Sequence, residues 1–210
     1  ILMWDDEVIC GFGRTGAPFG ADSLNIKPDM MTLAKALSSA YMPVSAAVVS
    51  GDFYEALVEP SAQVGVFGHG YTYSGHPVAC AVASRVVEIY QRDKLFEHAA
   101  ETGAYLQQKL QGFANHPLVG EVRGMGLIAA LELVANRETR QPFDGNAVGG
   151  FCQMRCQDNG LLVRAMSGNA IALCPPLVIS REQVDELVDK LGRALDATLD
   201  HVKAEQLLVA

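Results

Sequence analysis

The chain has 210 residues, half of them apolar and 19% charged, a balance that excludes a disordered chain and predicts a buried core. Its 16 Lys and Arg stand against 24 Asp and Glu, giving a net charge of −8. With no basic run or stripe, it lacks the counter-charge that nucleic acid or an anionic membrane surface requires, and neither is expected as a partner.

Residues 1–10 (ILMWDDEVIC) predict a short buried strand ending in acids. A strand core at the first residue raises the expectation that an N-terminal part of a longer protein precedes Ile1. Residues 11–29 are rich in Gly, Pro and polar side chains and predict a long loop. Apolar residues return at 30–34, just before Lys35, and residues 42–50 read as a second strand. Residues 51–60 suggest a short helix ending at Pro60, and 61–76 a Gly/His/Tyr/Ser loop. Pro77 suits the first position of a helix, and helical spacing then runs to about Leu110 with breaks near Asp93 and Gly103. VGEVRGMGLIAALELV, after Pro117, reads as a strand pair around a Gly-Met-Gly turn. Residues 146–158 predict a helix stopped by Asn159-Gly160. LLVRAM and AIALCPPLVIS read as two strands around a Ser-Gly-Asn turn. Ser180 with Gln183 forms a capping box that opens a final helix to about residue 205. This order predicts two domains, residues 1–90 and residues 91–210, the second of them α+β.

Three features bear on chemistry. The five cysteines (Cys10, Cys80, Cys152, Cys156 and Cys174) are odd in number and irregularly spaced, which disfavours a disulfide framework or zinc ribbon and suits a reducing, cytoplasmic compartment. No metal site is expected. Gly11, Gly13 and Gly16 spell G-x-G-x-x-G after a strand, as in a dinucleotide fingerprint. That fingerprint needs a helix N-terminus directly after the glycines to hold a pyrophosphate. Here Ala17-Pro18-Phe19-Gly20 follows, and Asp5, Asp6 and Glu7 would repel a diphosphate, so a nicotinamide oxidoreductase is disfavoured. Finally, Lys35 is the only charged residue between Asp29 and Asp52, in an otherwise apolar and small-residue segment. Such isolation predicts a desolvated amine, a good nucleophile and carbonyl-binding group. An acid at the end of a strand upstream completes the pair that pyridoxal phosphate needs: a lysine for its aldehyde and a carboxylate for its ring nitrogen.

The segments Asp6-Glu7-Val8, Gly11-Phe12-Gly13-Arg14-Thr15-Gly16, Ala34-Lys35-Ala36-Leu37 and Thr72-Tyr73-Ser74-Gly75-His76-Pro77 occur in the order found in class III pyridoxal-phosphate aminotransferases, the ω-transaminases, and the chain resembles that family. Val122-Arg123-Gly124-Met125-Gly126-Leu127 and Pro175-Pro176-Leu177 fit its C-terminal part. The resemblance implies an α/β chain of fold type I, the aspartate-aminotransferase-like architecture. Residues 1–90 would then be the end of the cofactor-binding large domain and residues 91–210 the C-terminal α+β small domain. It implies pyridoxal 5'-phosphate as cofactor and a homodimer with a cross-subunit site. It also implies ping-pong transfer of an amino group from an amine or ω-amino acid to pyruvate or another oxoacid. Asp6 matches the acid on the ring nitrogen, Val8 the aliphatic residue on one ring face, and Lys35 the covalent anchor and proton carrier. Thr72 matches the hydroxyl that binds phosphate across the dimer. Arg164 resembles the mobile arginine that grips the oxoacid carboxylate, although Ser167-Gly168-Asn169 has Asn where the family often has Asp. The family's phosphate cradle and stacking aromatic lie in its first half, so these 210 residues are expected to lack a complete site. An aminomutase or decarboxylase of the same fold, or a non-catalytic scaffold, are the alternatives.

Overall fold

A computed structural model describes residues 1–209, and the chain divides into two compact units, Ile1–Glu97 and His98–Ala210. The first unit is built on three short strands, β1 (Trp4–Asp6), β2 (Met30–Leu33) and β3 (Ala46–Val49), in that spatial order. β1 and β2 are parallel, with Asp6 opposite Thr32, and β3 is antiparallel to β2. A parallel pair needs a crossover rather than a hairpin. Residues 7–29 supply it, and they contain a helix the composition does not announce, α1 (Gly20–Leu24). The first residues are not the buried strand expected. β1 is an edge strand with one neighbour, and Leu2, Met3 and Trp4 are exposed.

Ser50 caps the next helix, α2 (Gly51–Val64), by accepting a hydrogen bond from the Phe53 N–H. α2 runs through Pro60 instead of ending there. Proline removes one intrahelical donor, but no residue of α2 is buried, so the orphaned carbonyl can turn to solvent. In α3 (Pro77–Arg92), Pro77 opens the helix, and Ala79, Ala83, Val86 and Tyr90 make its buried face at helical spacing.

α4 (Leu95–Leu110) carries the boundary between the units. Gly103 does not break it. A Cβ on Gly103 would lie 2.5 Å from the carbonyl carbon of Gly126, so this glycine permits a turn to pack directly on the helix. That turn joins β4 (Val119–Met125) to β5 (Ile128–Asn136), whose register pairs Met125 with Ile128. The two-residue connection is therefore Gly126-Leu127, one residue later than the sequence suggests. β6 (Gln141–Pro142), α5 (Ala147–Asp158), β7 (Arg164–Met166), β8 (Ala170–Leu173) and α6 (Arg181–Ala204) complete the second unit. Its antiparallel sheet has the order β4-β5-β8-β7, with β6 on β5. The capping box is present: Ser180 accepts from the Gln183 N–H, and Gln183 accepts from the Ser180 N–H. Leu106, Leu118, Leu131, Ile171, Leu191 and Leu195 form a core with no exposed surface. Complete burial of such a side chain is worth roughly 1.5–3 kcal/mol each.

Asn169, at the turn between β7 and β8, is fully buried and left-handed, with φ 62°. Its Oδ1 accepts from the Gly149 N–H at 2.8 Å, and its Nδ2 donates to the Gly145 carbonyl at 2.8 Å. A carboxylate could not donate the second bond. Asn in place of the family's Asp thus has a local cause.

Candidate active site

The first unit gathers its chemistry at the C-terminal ends of the parallel strands β1 and β2. Asp6 closes β1 and is exposed; its Oδ1 accepts from the Val8 N–H at 3.1 Å and from the Thr32 hydroxyl at 3.2 Å. Thr32 is its register partner, so the ladder sets the side-chain bond. Ligands of open α/β sheets bind outside the carboxyl ends of strands, which is where this carboxylate stands. Val8 is half-buried in the turn that follows.

Lys35 lies just beyond the end of β2, as the first residue of a 3-10 turn, Lys35–Leu37. The expected burial of Lys35 is not observed: it is exposed. Its backbone is unusual in another way. Lys35, Ser39 and Ala40 have φ of 44°, 50° and 62°. The left-handed region costs a non-glycine residue about 1–3 kcal/mol and persists only where surrounding structure enforces it. Here the Ser38 hydroxyl donates to the Met42 carbonyl at 2.6 Å, and the Tyr90 hydroxyl of α3 donates to the Ala36 carbonyl at 2.7 Å.

The structure brings Asp6, Val8 and the Lys35 turn to one end of one sheet. Thr72 stands elsewhere in the unit, in an exposed turn before α3, held by a Ser74 N–H to Tyr71 carbonyl bond and a Tyr71 N–H to Ser74 hydroxyl bond. Arg164 belongs to the second unit. It is exposed at the start of the edge strand β7, opposite Ala172 in register, and no ion pair between described residues engages it.

The sequence marks Glu7 only as one of three acids at the strand end, yet it is buried and organises the glycine loop. Its Oε1 accepts from the Ala21 N–H at 2.7 Å and its Oε2 from the Gly20 N–H at 2.9 Å. The N-terminus of α1 is therefore already occupied by the chain's own anion. Gly11 is forced by the same residue, since a Cβ there would approach the Glu7 carbonyl to 2.8 Å. This geometry agrees with rejection of the dinucleotide reading. Thr32 and Tyr90 were missed as well. A lone hydroxyl in the apolar run MMTL was the only local signal for Thr32; Tyr90 is indistinguishable in sequence from an ordinary core aromatic.

The family model described as Aminotransferase class-III matches residues 1–195. The chain belongs to the class III aminotransferases. That family is pyridoxal-phosphate-dependent, and the architecture is its fold type I. Among its relatives, putrescine–pyruvate aminotransferase of Pseudomonas aeruginosa is 48% identical over 97% of this chain and 44% of its own length. Gamma aminobutyrate transaminase 1, mitochondrial, of Solanum lycopersicum is 45% identical over 97% of this chain and 39% of its own. The omega transaminase from Pseudomonas jessenii in complex with PMP superposes with a TM-score of 0.93 at 46% identity, over 97% of this chain and 45% of that one. This class III chain thus spans less than half the length of the relatives it matches. No helix among the described residues is long and apolar enough to cross a membrane.

Proposed function

We propose that the protein carrying this chain is an aminotransferase that moves an amino group from an amine or ω-amino acid to pyruvate or another oxoacid by a ping-pong route. The observation that carries the reading is the pairing of a carboxylate, Asp6, and an amine, Lys35, at adjacent C-terminal ends of parallel strands. The donor set suits pyridoxal 5'-phosphate. Asp6 is an exposed carboxylate for the ring nitrogen, Val8 offers an aliphatic face, Lys35 an accessible amine for the aldehyde, and Thr72 an exposed hydroxyl for the phosphate. When bound, the cofactor supplies an electron sink for the carbon from which a proton is removed. Asp6 would hold the positive charge on the ring nitrogen. Lys35 would be the amine that anchors the cofactor's aldehyde and the group that carries the proton, as general base and then general acid. Arg164 grips the oxoacid carboxylate through its guanidinium fork.

A homodimer is part of the same proposal, with Thr72 serving the neighbour's phosphate. It is supported by the exposed apolar and aromatic side chains of Val64, Val66, Phe67, Tyr71 and Tyr73 around that turn. The domain reading, residues 1–90 and 91–210, is supported by the two-unit division, which falls between Glu97 and His98. A cytoplasmic location is supported by free thiols at Cys80, Cys152, Cys156 and Cys174.

Borohydride reduction of the full-length, cofactor-loaded enzyme followed by peptide mapping tests the reading. The label should fall on Lys35, and Lys35→Ala should lose both label and turnover. A label on another lysine would remove the basis of the assignment. Mixing Thr72→Ala subunits with Lys35→Ala subunits tests the dimer: one hybrid site carries both defects and the other neither, so activity should return. No recovery in verified hybrids would place Thr72 within its own subunit's site.

A further inference from the structure

The glycine loop, Gly11–Gly16, contributes no residue to the proposed site, yet it is tied into the first unit. Phe12, the second residue of the loop, is itself left-handed, with φ 62°, and is buried. That conformation, with the Phe12 N–H donating to the Pro18 carbonyl at 2.6 Å, turns its ring toward α3. The Phe12 ring centroid lies 6.4 Å from that of Tyr90 and 5.6 Å from that of Phe19, and the Phe96 centroid lies 5.9 Å from that of Tyr90. Tyr90 is thereby packed against two phenylalanine rings, one of them backed by a third, and is only 5% exposed. Its hydroxyl is the one polar side-chain group of the cluster, and it meets the carbonyl of the residue after Lys35.

We propose that Tyr90 is a positioning residue for Lys35: its hydroxyl, aimed by Phe12 of the glycine loop, donates to the Ala36 carbonyl and holds the strained turn that presents the lysine. The inference rests on the reading of Lys35 as the cofactor-binding amine. The Ala36 carbonyl also accepts the Ser39 N–H at 3.1 Å, so one oxygen ties the residue after Lys35 both to left-handed Ser39 and to α3. The bond from Tyr90 spans 54 residues of sequence, which makes it a tertiary constraint on a segment that local preference would relax. Burial, the largest influence, raises the Tyr90 pKa above the ordinary tyrosine value, while Ser39 and Arg14 act the other way, so the hydroxyl keeps its proton as a donor at neutral pH. In the motif G-F-G-R-T-G, the glycines let the chain reverse and the phenylalanine seats the tyrosine.

Tyr90→Phe in the full-length enzyme keeps the ring and its packing and removes the hydroxyl, with its bond to the Ala36 carbonyl and its contact with Ser39. Unloaded wild-type and variant enzymes are mixed with pyridoxal phosphate, trapped with borohydride at intervals and mapped; steady-state kinetics follow on the loaded enzymes. Trapping at Lys35 should slow by roughly 3- to 10-fold, the weight of one net hydrogen bond on the competent turn. kcat should fall by a similar factor with the KM for amine unchanged. A lower melting temperature alone, with trapping and kcat at wild-type rates, would overturn the proposal and leave the Lys35 assignment intact. A label on another lysine in the wild type would overturn both.

Discussion

In the unit Ile1–Glu97, the apolar side chains of Trp4, Val64, Val66, Tyr71 and Tyr73 face outward, and α2 buries no residue. In the unit His98–Ala210, Leu106, Leu110, Leu118, Leu127, Leu131, Leu133, Leu191 and Leu195 are fully buried, beneath a sheet and three helices. Two stretches of one chain, of similar apolar character, are therefore used differently. The second unit packs its hydrophobic residues into its own core. In the first they are exposed within this chain, which spans less than half the length of its relatives, and there also stand Asp6, Lys35 and Thr72, the residues with the chemistry. A side chain consumed by packing is unavailable for catalysis; one held at a strand end or turn is available but depends on neighbours to keep its place.

Four substitutions or conditions would break or sharpen that contrast. The largest effect is expected from Leu131→Ala in the closed core, a loss of about 2–5 kcal/mol in stability, read from the denaturant midpoint. The kcat of the folded fraction should change little. Asp6→Asn should do the reverse. Since Asp6 is exposed, the midpoint should barely move, while turnover drops roughly 10²–10³-fold, the range for losing a preorganised electrostatic partner. An equal loss from Asp5→Asn with Asp6→Asn harmless would transfer the role to Asp5. Arg164→Ala should weaken pyruvate by about one to two decades, the worth of a charge-assisted pair at roughly 1.5–3 kcal/mol. The arylalkylamine half-reaction, followed by stopped flow, should change much less; equal losses in both would make Arg164 structural.

The smallest effect is a pH slope in the second unit. Burial lowers the His116 pKa below the ordinary histidine value, although Asp196, 3.4 Å from Nε2, opposes it. Nδ1 accepts the Leu118 N–H at 3.2 Å and so carries no proton in the folded state. The unfolded chain therefore takes up the proton first as pH falls, and stability declines from about pH 6.5 downward toward the depressed folded value. Urea midpoints at pH 7.5 and 5.5 should differ in this direction, and His116→Leu should flatten the difference.

What could be read in the sequence follows the range of the interactions involved. The capping box at Ser180 and Gln183 spans three residues, and α6 begins where it indicates. The hairpin of β4 and β5 is local too, and it is displaced only by the one-residue choice of turn. Glu7 reaches Gly20 across thirteen residues and Tyr90 reaches Ala36 across fifty-four, and no periodicity announces either. Gly103 carries a helix-breaker's signal although its reason is the backbone of Gly126. Pro60 carries the same signal in a helix whose exposure tolerates it. In the candidate site, Asp6 and Lys35 stood out by type and order. The exposure of Lys35 did not, because an apolar neighbourhood in sequence says nothing of where a turn will carry the side chain.

The paired hydrogen bonds from Gly20 and Ala21 to Glu7 have a consequence for the length of the segment they close. Glycine-rich surface loops ordinarily absorb added or missing residues, since the entropy of a slightly longer loop grows slowly. This one is a ring fastened at both ends: at Glu7 by the ladder bond from its N–H to the Thr32 carbonyl, and at Gly20 by the carboxylate. Between those fastenings Phe12 must meet Tyr90. One residue inserted or deleted between Gly11 and Phe19 would therefore rotate the phenylalanine off its tyrosine or pull the helix end off its anion. The segment behaves as a gauge of fixed length rather than as slack.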